Sequence, residues 1–196
     1  GGLTGARGKE VATVLIFDRV SFSYKKEQPV LTDLSFRLPA GGRLTVMGGS
    51  GCGKSTLLSL AAGLLTPTSG QIIRDARRTA YVFQEPRLFP WLTVAENLAA
   101  ALPKPDPKAI AEALCAVELA DAASLYPAEL SGGMKSRVSL ARGLLRGGDL
   151  FLLDEPFAAL DPALRRRMTD LLSARLTKTG AAALLVTHQE EDARRF

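Results

Sequence analysis

The sequence is poor in histidine, cysteine and tryptophan, and it lacks any long apolar segment. Its 196 residues include one histidine, two cysteines and one tryptophan. No apolar run approaches the length of about 18 residues that a membrane-spanning helix needs. A secretory signal peptide begins with basic residues followed by a short apolar stretch, and the sequence does not show this pattern. The sequence therefore predicts neither a membrane span nor a cleaved leader.

The two cysteines, Cys52 and Cys115, are not predicted to form a disulfide. Cys52 lies in a glycine-rich loop, and Cys115 lies in a helical pattern far along the chain. This usage fits a reducing compartment such as the cytoplasm. Internal repeats, low-complexity tracts and sustained heptads are also lacking, so long coiled coils are excluded.

The chain has a modest excess of positive charge. Lysine and arginine number 25 against 20 acidic residues, a formal net charge of +5. The densest basic cluster is 165–167, three arginines inside a predicted helix. A solvated helix face explains this cluster, and contact with lipid headgroups or a partner is the alternative. No nucleic acid partner is expected.

The hydrophobic pattern predicts one α/β domain. Residues 1–10 are glycine-rich and polar, which indicates a loose tail, and the domain then spans 11–196. Strands are predicted at 11–17, 20–24, 34–38, 43–47, 79–83, 150–154 and 181–187. Helices are predicted after 53, from 93, at 109–119, from 131 to about 145, and from 161 to 180. The segment at about 86–148 is mostly helical and forms an insertion in the α/β core.

Several helix starts carry capping residues. Thr93 and Glu96 form a capping box, and Asp106 precedes Pro107 at a first helical position. Ser131 is placed to cap the helix that follows it, and Asp161 stands before the next predicted helix.

A glycine-rich loop between a strand and a helix predicts a phosphate cradle. The loop fits the pattern G-x-x-x-x-G-K-[ST], with backbone N–H groups and a helix N-terminus available to anions. Lys54 can reach the β- and γ-phosphates, and the Ser55 hydroxyl can ligate Mg²⁺. The residues of this cradle are Gly48, Gly49, Ser50, Gly51, Cys52, Gly53, Lys54, Ser55 and Thr56.

Two carboxylates end a predicted buried strand about 100 residues later. Asp154 and Glu155 follow an almost wholly apolar run, so they are expected at the edge of a parallel sheet where ligands bind. Asp154 is placed to hold Mg²⁺ directly or through water. The pair and the glycine loop together predict a nucleoside triphosphate site.

The order of these motifs resembles the ATP-binding cassette (ABC) ATPases. Between the glycine loop and the carboxylates stands Leu130-Ser131-Gly132-Gly133-Met134, the type of signature that separates this family from other P-loop proteins. The resemblance covers about 17–196. It implies a P-loop fold with an antiparallel β part and a helical insertion. Such proteins continue beyond the equivalent of Phe196, so the C-terminal end is expected to be truncated.

The resemblance also implies roles for single residues. Glu155 would polarise the attacking water as general base, and His188 would contact the γ-phosphate. Gln84 would touch Mg²⁺ and the water, and Tyr24 would stack on adenine. Gln189 stands where the family usually has Asp, which changes the hydrogen bonding expected beside His188.

The signature motif implies a second subunit. In the family, the residues equivalent to Ser131, Gly132 and Gly133 bind the γ-phosphate of ATP held by the partner, and Asp161 would lie at that interface. Two cassettes would therefore sit head to tail around two ATP molecules. Met134 and Ser136 both replace the family's usual Gln.

The run from Gln84 to Asn97 resembles the importer branch, close to nitrate, sulfonate and taurine uptake systems. The function implied is ATP hydrolysis that powers an importer through membrane permease subunits. A solute-binding protein would act outside, and the cassette would lie on the cytoplasmic face of the membrane. The alternatives are an ABC ATPase of DNA repair or translation and an inactive, truncated cassette. Leu88, Phe89 and Trp91 are candidates for permease docking or for core packing.

Overall fold

The computed structural model describes residues 12–25, 28–49 and 51–196. The predicted tail at 1–10, the first residue of the predicted strand at 11–17, and Ser50 of the phosphate loop lie outside the described residues. Among the described residues, no helix is both long enough and apolar enough to cross a membrane.

Strands and helices alternate, except in a mostly helical middle part. The strands are β1 (Thr13–Lys25), β2 (Gln28–Pro39), β3 (Arg43–Met47), β4 (Ser69–Arg74), β5 (Thr79–Val82), β6 (Leu150–Asp154) and β7 (Ala182–Thr187). The helices are α1 (Lys54–Ala61), α2 (Val94–Ala99), α3 (Pro107–Ala116), α4 (Gly132–Arg146), α5 (Pro162–Thr179) and α6 (Glu190–Arg195). Helices α2, α3 and α4 all lie between β5 and β6 along the chain.

The first sheet is antiparallel, in the order β2-β1-β4. The prediction of separate strands at 11–17 and 20–24 was wrong, because β1 runs through without a break. The pairing shifts register between Phe17 and Val20, and Arg19 between them has a positive φ of 49°. Such a bulge breaks the alternation of buried and exposed side chains while the strand continues, so one strand gives the pattern of two.

Strand β4 was not predicted. It pairs antiparallel with β1, from Leu15 opposite Arg74 to Ser21 opposite Ser69. Only one of its six residues is partly buried and the rest are exposed, so the segment lacks the alternation that identifies a half-buried strand. Its conformation depends on pairing with β1, which the local sequence does not reveal.

The second sheet is parallel, in the order β3-β7-β6-β5. Every residue of the central strands β6 and β7 is buried, as their continuous apolar runs predict for strands covered on both faces. Along β6, Leu150 and Leu152 pack with α1 and the antiparallel sheet, whereas Phe151 and Leu153 pack with the helices on the other face. All four strands end at the same edge of this sheet.

The predicted helix caps are confirmed. The Thr93 hydroxyl accepts a hydrogen bond from the Glu96 amide, and the Glu96 carboxylate accepts one from the Thr93 amide. Asp106 accepts from the Ala109 amide, and Ser131 accepts from the amide three residues into α4. Gly180 ends α5 with a positive φ of 66°. Local side-chain chemistry therefore fixes these helix ends.

Candidate functional site

The glycine-rich loop joins β3 to α1 and wraps around the Lys54 side chain. The Lys54 ammonium donates hydrogen bonds to the carbonyls of Gly48 at 2.6 Å and Gly49 at 2.7 Å. Gly53 precedes α1 with a φ of 92°, and a Cβ there would lie 2.8 Å from Val30. Only glycine fits at this position without strain, so the loop and the start of α1 are fixed against β2.

A cavity of about 390 Å³ opens beside this loop. It is lined by Tyr24, Val30, Gly51, Gly53, Lys54, Ser55, Thr56, Gln84 and Glu155. The predicted residues from the glycine loop, from the end of β5 and from the end of β6 therefore converge on one space. Val30 was not predicted, because a valine on a strand carries no signal of ligand contact.

Tyr24 lies at the end of β1 and is 65% exposed. Its hydroxyl is 3.1 Å from the Thr56 hydroxyl, and its ring contacts Phe22 edge to face at 4.9 Å. These two contacts orient an exposed aromatic ring over the first turn of α1. A tyrosine ring held in this way offers a flat apolar face to a ligand in the cavity.

Asp154 ends β6 and is 5% exposed. Burial raises the pKa of its carboxyl, a hydrogen bond from the Ser55 hydroxyl opposes that rise, and the nearby Glu155 adds to it. Lys54 lies close enough to lower the pKa by charge attraction. The net rise means that the carboxylate is short of cationic and hydrogen-bonding partners in this structure.

Glu155 and His188 are in direct contact. Their Oε2 and Nδ1 atoms are 2.7 Å apart, and the His188 Nε2 atom is 2.8 Å from the side-chain amide nitrogen of Gln189. Both contacts are hydrogen bonds at once when the neutral imidazole carries its proton on Nδ1. The Gln189 side chain thus donates a hydrogen bond to the second ring nitrogen of His188.

Glu155 has a backbone conformation that non-glycine residues seldom adopt. Its φ is 45°, and its amide donates a hydrogen bond to the Val186 carbonyl on β7 at 2.9 Å. This turn directs consecutive residues differently: Asp154 is buried beneath the loop, whereas Glu155 lines the cavity. The two carboxylates are therefore separated for different tasks.

The predicted signature residues and Asp161 lie apart from this cavity in the described chain. Ser131, Gly132 and Gly133 form the start of α4, where a Cβ on Gly133 would approach the Ala159 carbonyl to 3.1 Å. Asp161 caps α5, and hydrogen bonds from the Leu164 and Ala163 amides lower the pKa of its carboxyl. Within a single chain, the signature residues and Asp161 therefore do not line the cavity beside the glycine loop.

The residues at the cavity that could bind a metal ion are one carboxylate and neutral oxygen donors. Within residues 12–25, 28–49 and 51–196, no three His, Cys, Asp or Glu side chains cluster so as to hold a metal ion. The Ser55 hydroxyl, the Asp154 carboxylate and the Gln84 amide are oxygen donors near the loop. One carboxylate with neutral oxygen donors suits Mg²⁺ that also binds phosphate oxygens, so the residues fit a magnesium–nucleotide complex.

The apolar residues after Gln84 divide into two groups. Leu88 is partly buried and packs against the core between the parallel sheet and the helices. Phe89 is 41% exposed and Trp91 is 71% exposed, with their ring centroids 5.7 Å apart. Phe89 also lines a cavity of about 540 Å³ between β5 and α4, together with Phe83, Arg87 and Arg142. Core packing accounts for Leu88, and it does not account for the exposed pair.

Comparison with known proteins identifies related sequences over most of the chain. The profile of the family described as ABC transporter matches residues 31–158. The thiamine import ATP-binding protein ThiQ of Cereibacter sphaeroides is 48% identical over 173 residues, covering 80% of this chain and 75% of that protein. The aliphatic sulfonates import ATP-binding protein SsuB of Bacillus subtilis is 40% identical over 190 residues, covering 92% and 74%.

Solved structures show the same architecture. An ATP-binding cassette determined as a dimer in a post-hydrolysis state with ADP and phosphate superimposes with a TM-score of 0.83 at 29% identity. The alignment covers 92% of this chain and 90% of that one. A dimeric bacterial ABC transporter cassette gives a TM-score of 0.85 at 28% identity, with the same coverage. The P-loop α/β fold with its antiparallel part is thus confirmed.

The environment of Asp154 predicts that Asp154→Asn stabilises the protein without nucleotide. A carboxyl whose pKa is raised on folding loses stability as pH rises from the unfolded pKa through the folded one. Removing the charge removes that loss, so the melting midpoint at pH 7.5 should rise. The measurement is thermal unfolding followed by circular dichroism.

The pH series supplies the control for this prediction. The gap between variant and parent should be smallest near pH 4 and should open towards neutral pH. Mg²⁺ with ATP should reverse the order, since the parent alone keeps the carboxylate donor. A variant that is less stable than the parent at pH 7.5 without nucleotide would contradict the assignment of burial as the dominant influence.

Proposed function

This chain belongs to the ABC transporter family, and on that premise we propose that it is the ATP-hydrolysing subunit of an importer. Its ATPase chemistry would drive separate permease subunits in the membrane. The observation that carries the proposal is the cavity shared by Lys54, Ser55, Gln84, Glu155 and Tyr24. The relatives of known function quoted above are import ATP-binding proteins, whereas the DNA-repair and translation alternatives gain no support from them.

ATP binding would start from the preformed glycine loop. The Lys54 ammonium already lies within the loop, held by the Gly48 and Gly49 carbonyls. Phosphate oxygens would replace these carbonyls as charged acceptors, which bind an ammonium more strongly. Tyr24 would stack on the adenine at the other end of the cavity. The nucleotide would therefore lie from β1 to the end of β6.

A magnesium ion would be held by Ser55 and Asp154, with Gln84 adjacent, and the gain of a cation would oppose the rise in the pKa of Asp154. The ion would supply positive charge against the phosphates of the nucleotide. Hydrolysis is then an in-line attack of water on the γ-phosphate, for which positioning and charge matter most.

Glu155 would orient the attacking water and accept its proton. Its Oε2 atom accepts a hydrogen bond from His188 here, and this contact orients the carboxylate beside the cavity that it lines. His188 would reach the γ-phosphate once Gln189 releases Nε2 and the imidazole carries a proton there. The two residues would thus form a relay that senses whether the γ-phosphate is present.

A head-to-tail dimer would complete each site. Ser131, Gly132 and Gly133 offer a hydroxyl and helix N-terminal amides that their own chain leaves remote from its glycine loop. The partner's γ-phosphate would occupy this anion site, and Asp161 would lie at the same interface. The structural relatives quoted above are dimers, which supports this arrangement.

The permease would dock beside the Gln84 loop. The 540 Å³ cavity combines aromatic and basic residues, and the exposed Phe89 and Trp91 extend its apolar surface. Exposed aromatic side chains of this kind are typical of interface anchors. The segment at 86–148 would then form the helical part that moves against the α/β core. We place the protein on the cytoplasmic face of the membrane, with a solute-binding protein acting on the opposite side.

Glu155→Gln should bind ATP and lose turnover. Glutamine keeps the size of the side chain and an oxygen that accepts from His188, but it cannot take a proton from water. The turnover rate should fall by about 10²–10⁴-fold, the usual contribution of a general base. Because the composite sites form and do not react, ATP should shift the variant to a dimer in size-exclusion chromatography. Turnover equal to that of the parent would rule out Glu155 as the base.

Trp91→Ala should weaken the permease complex. The exposed indole packs little within the chain, so the melting midpoint should stay within about 2 °C of the parent. Solute uptake should fall more than the ATPase rate of the isolated cassette, and less cassette should co-purify with the detergent-solubilised permease. Leu88→Ala is the matched control, since loss of a core-packed side chain should lower the melting midpoint. Normal uptake with the Trp91 variant would contradict docking at this surface.

A further inference from the structure

Arg142, near the C-terminal end of α4, binds the backbone of the loop that follows Gln84. Its Nη2 atom donates to the Pro86 carbonyl at 2.8 Å, and its Nη1 atom donates to the Arg87 carbonyl at 2.9 Å. The planar guanidinium matches two successive carbonyls with two parallel donors. The side chain is partly buried, and burial lowers the pKa of Arg142 from a very high value, so it remains a cation.

The backbone of this loop is strained at Arg87, so neighbouring groups must stabilise its conformation. Arg87 has a φ of 46°, a left-handed conformation that is unfavourable for a non-glycine residue. Such conformations persist only where surrounding groups fix them. The Arg142 guanidinium binds the Pro86 and Arg87 carbonyls, which lie before and after the Cα atom of Arg87. The Arg87 guanidinium itself lies 4.0 Å from the centroid of the Phe83 ring.

A second anchor holds the other end of the same loop. The buried Asn97 side chain on α2 accepts a hydrogen bond from the Phe89 amide at 2.8 Å and donates to the Phe89 carbonyl at 3.1 Å. Asn97 and Arg142 together fix the segment 86–89, which begins two residues after Gln84. Neither anchor lies on β5, from which the loop emerges.

A second arginine on helix α4 also binds two successive carbonyls, but through a single nitrogen, Nη1. Arg137 donates to the carbonyls of Val117 and Glu118, both at 3.0 Å, and Glu118 has a φ of 58°. Two arginines on one helix therefore hold two left-handed turns, one beside Gln84 and one after α3. The N-terminus of that helix carries Ser131, Gly132 and Gly133, about 15 Å from Arg142 at the helical rise of 1.5 Å per residue.

We propose that Arg142 is a positioning residue that makes the Gln84 loop move together with α4. The inference rests on the proposed function, in which Gln84 contacts the reacting nucleotide and the start of α4 contacts the partner's nucleotide. A displacement of α4 on dimer closure then carries the Pro86 and Arg87 carbonyls with it. Gln84 reaches its working position only when the signature end of α4 is also in place.

The first test needs no nucleotide. Arg142→Met keeps much of the side-chain length and removes both donors, so backbone hydrogen exchange at 84–92 should rise about tenfold after loss of two charge-assisted bonds. Arg137→Met is the matched control, since it should raise exchange at 114–120 and leave 84–92 unchanged. Unchanged exchange at 84–92 in the Arg142 variant would overturn the proposal, whatever the protein's catalytic activity. Arg142→Lys, which keeps the charge without the fork, serves the same test if the methionine variant does not fold.

The second test separates positioning from simple anchoring. Arg142→Met should leave the affinity for Mg²⁺ and ATP within about twofold and lower the turnover rate about tenfold or more, as misplaced groups do. Arg87→Gly in the same chain should restore part of the exchange protection, because glycine adopts positive φ without strain, but not the turnover, because it does not reconnect the loop to α4. Equal losses in affinity and turnover, or turnover restored by Arg87→Gly, would overturn the proposal by showing that Arg142 only anchors the loop. A parent protein that neither binds nor hydrolyses ATP would instead defeat the proposed function, leaving the exchange result to stand alone.

Discussion

The parallel pairing of β3, β7, β6 and β5 is the constraint on which the site depends. Parallel strands end at one edge of the sheet, so the loops that follow these four strands begin in one region. The last residues of the strands are Met47, Thr187, Asp154 and Val82. Those loops carry the glycine cradle, His188, Glu155 and Gln84. Lys54 and Glu155, about 100 positions apart in sequence, therefore line one cavity, and Glu155 also contacts His188 on the neighbouring loop.

That edge of the sheet carries both strained and buried polar residues. Glu155 and Arg87 both adopt positive φ, and both are held by hydrogen bonds from neighbouring elements. Asp154 is buried with its pKa raised. A protein selected only for stability would replace such groups, whereas a site that recruits a cation and a polyphosphate uses them. In the proposed function, the charges of bound Mg²⁺ and ATP would compensate for this cost.

Much of this arrangement could be predicted from the sequence, because its signals are local. The glycine loop, the caps at Thr93 and Ser131, and the apolar runs of β6 and β7 each depend on a few adjacent residues. Strand β4 could not be predicted, since its sequence lacks an alternating pattern and becomes a strand only through pairing with β1. The bulge at Arg19 likewise hid the continuity of β1.

Contacts between residues far apart in the chain could not be predicted from the sequence either. Gln189 next to His188 indicated altered hydrogen bonding there, but nothing local indicated that Glu155 contacts the Nδ1 atom of His188. The exposure of Phe89 beside a core-packed Leu88 depends on how the loop crosses the helices. The grip of Arg142 on two carbonyls 55 and 56 positions earlier is a tertiary feature, which one sequence without relatives cannot show.

Calorimetric titration of Mg²⁺ and ATP into the parent protein and Lys54→Ala tests the central claim most directly. Among the described residues, the Lys54 side chain bonds only within its own loop, to the Gly48 and Gly49 carbonyls and the Cys52 sulfur, so its removal should leave the fold intact, as checked by circular dichroism. The account predicts binding by the parent and an affinity about 10–100-fold lower in the variant, from loss of one charged phosphate contact. Equal affinities in the two folded proteins would contradict the claim that this loop binds the nucleotide.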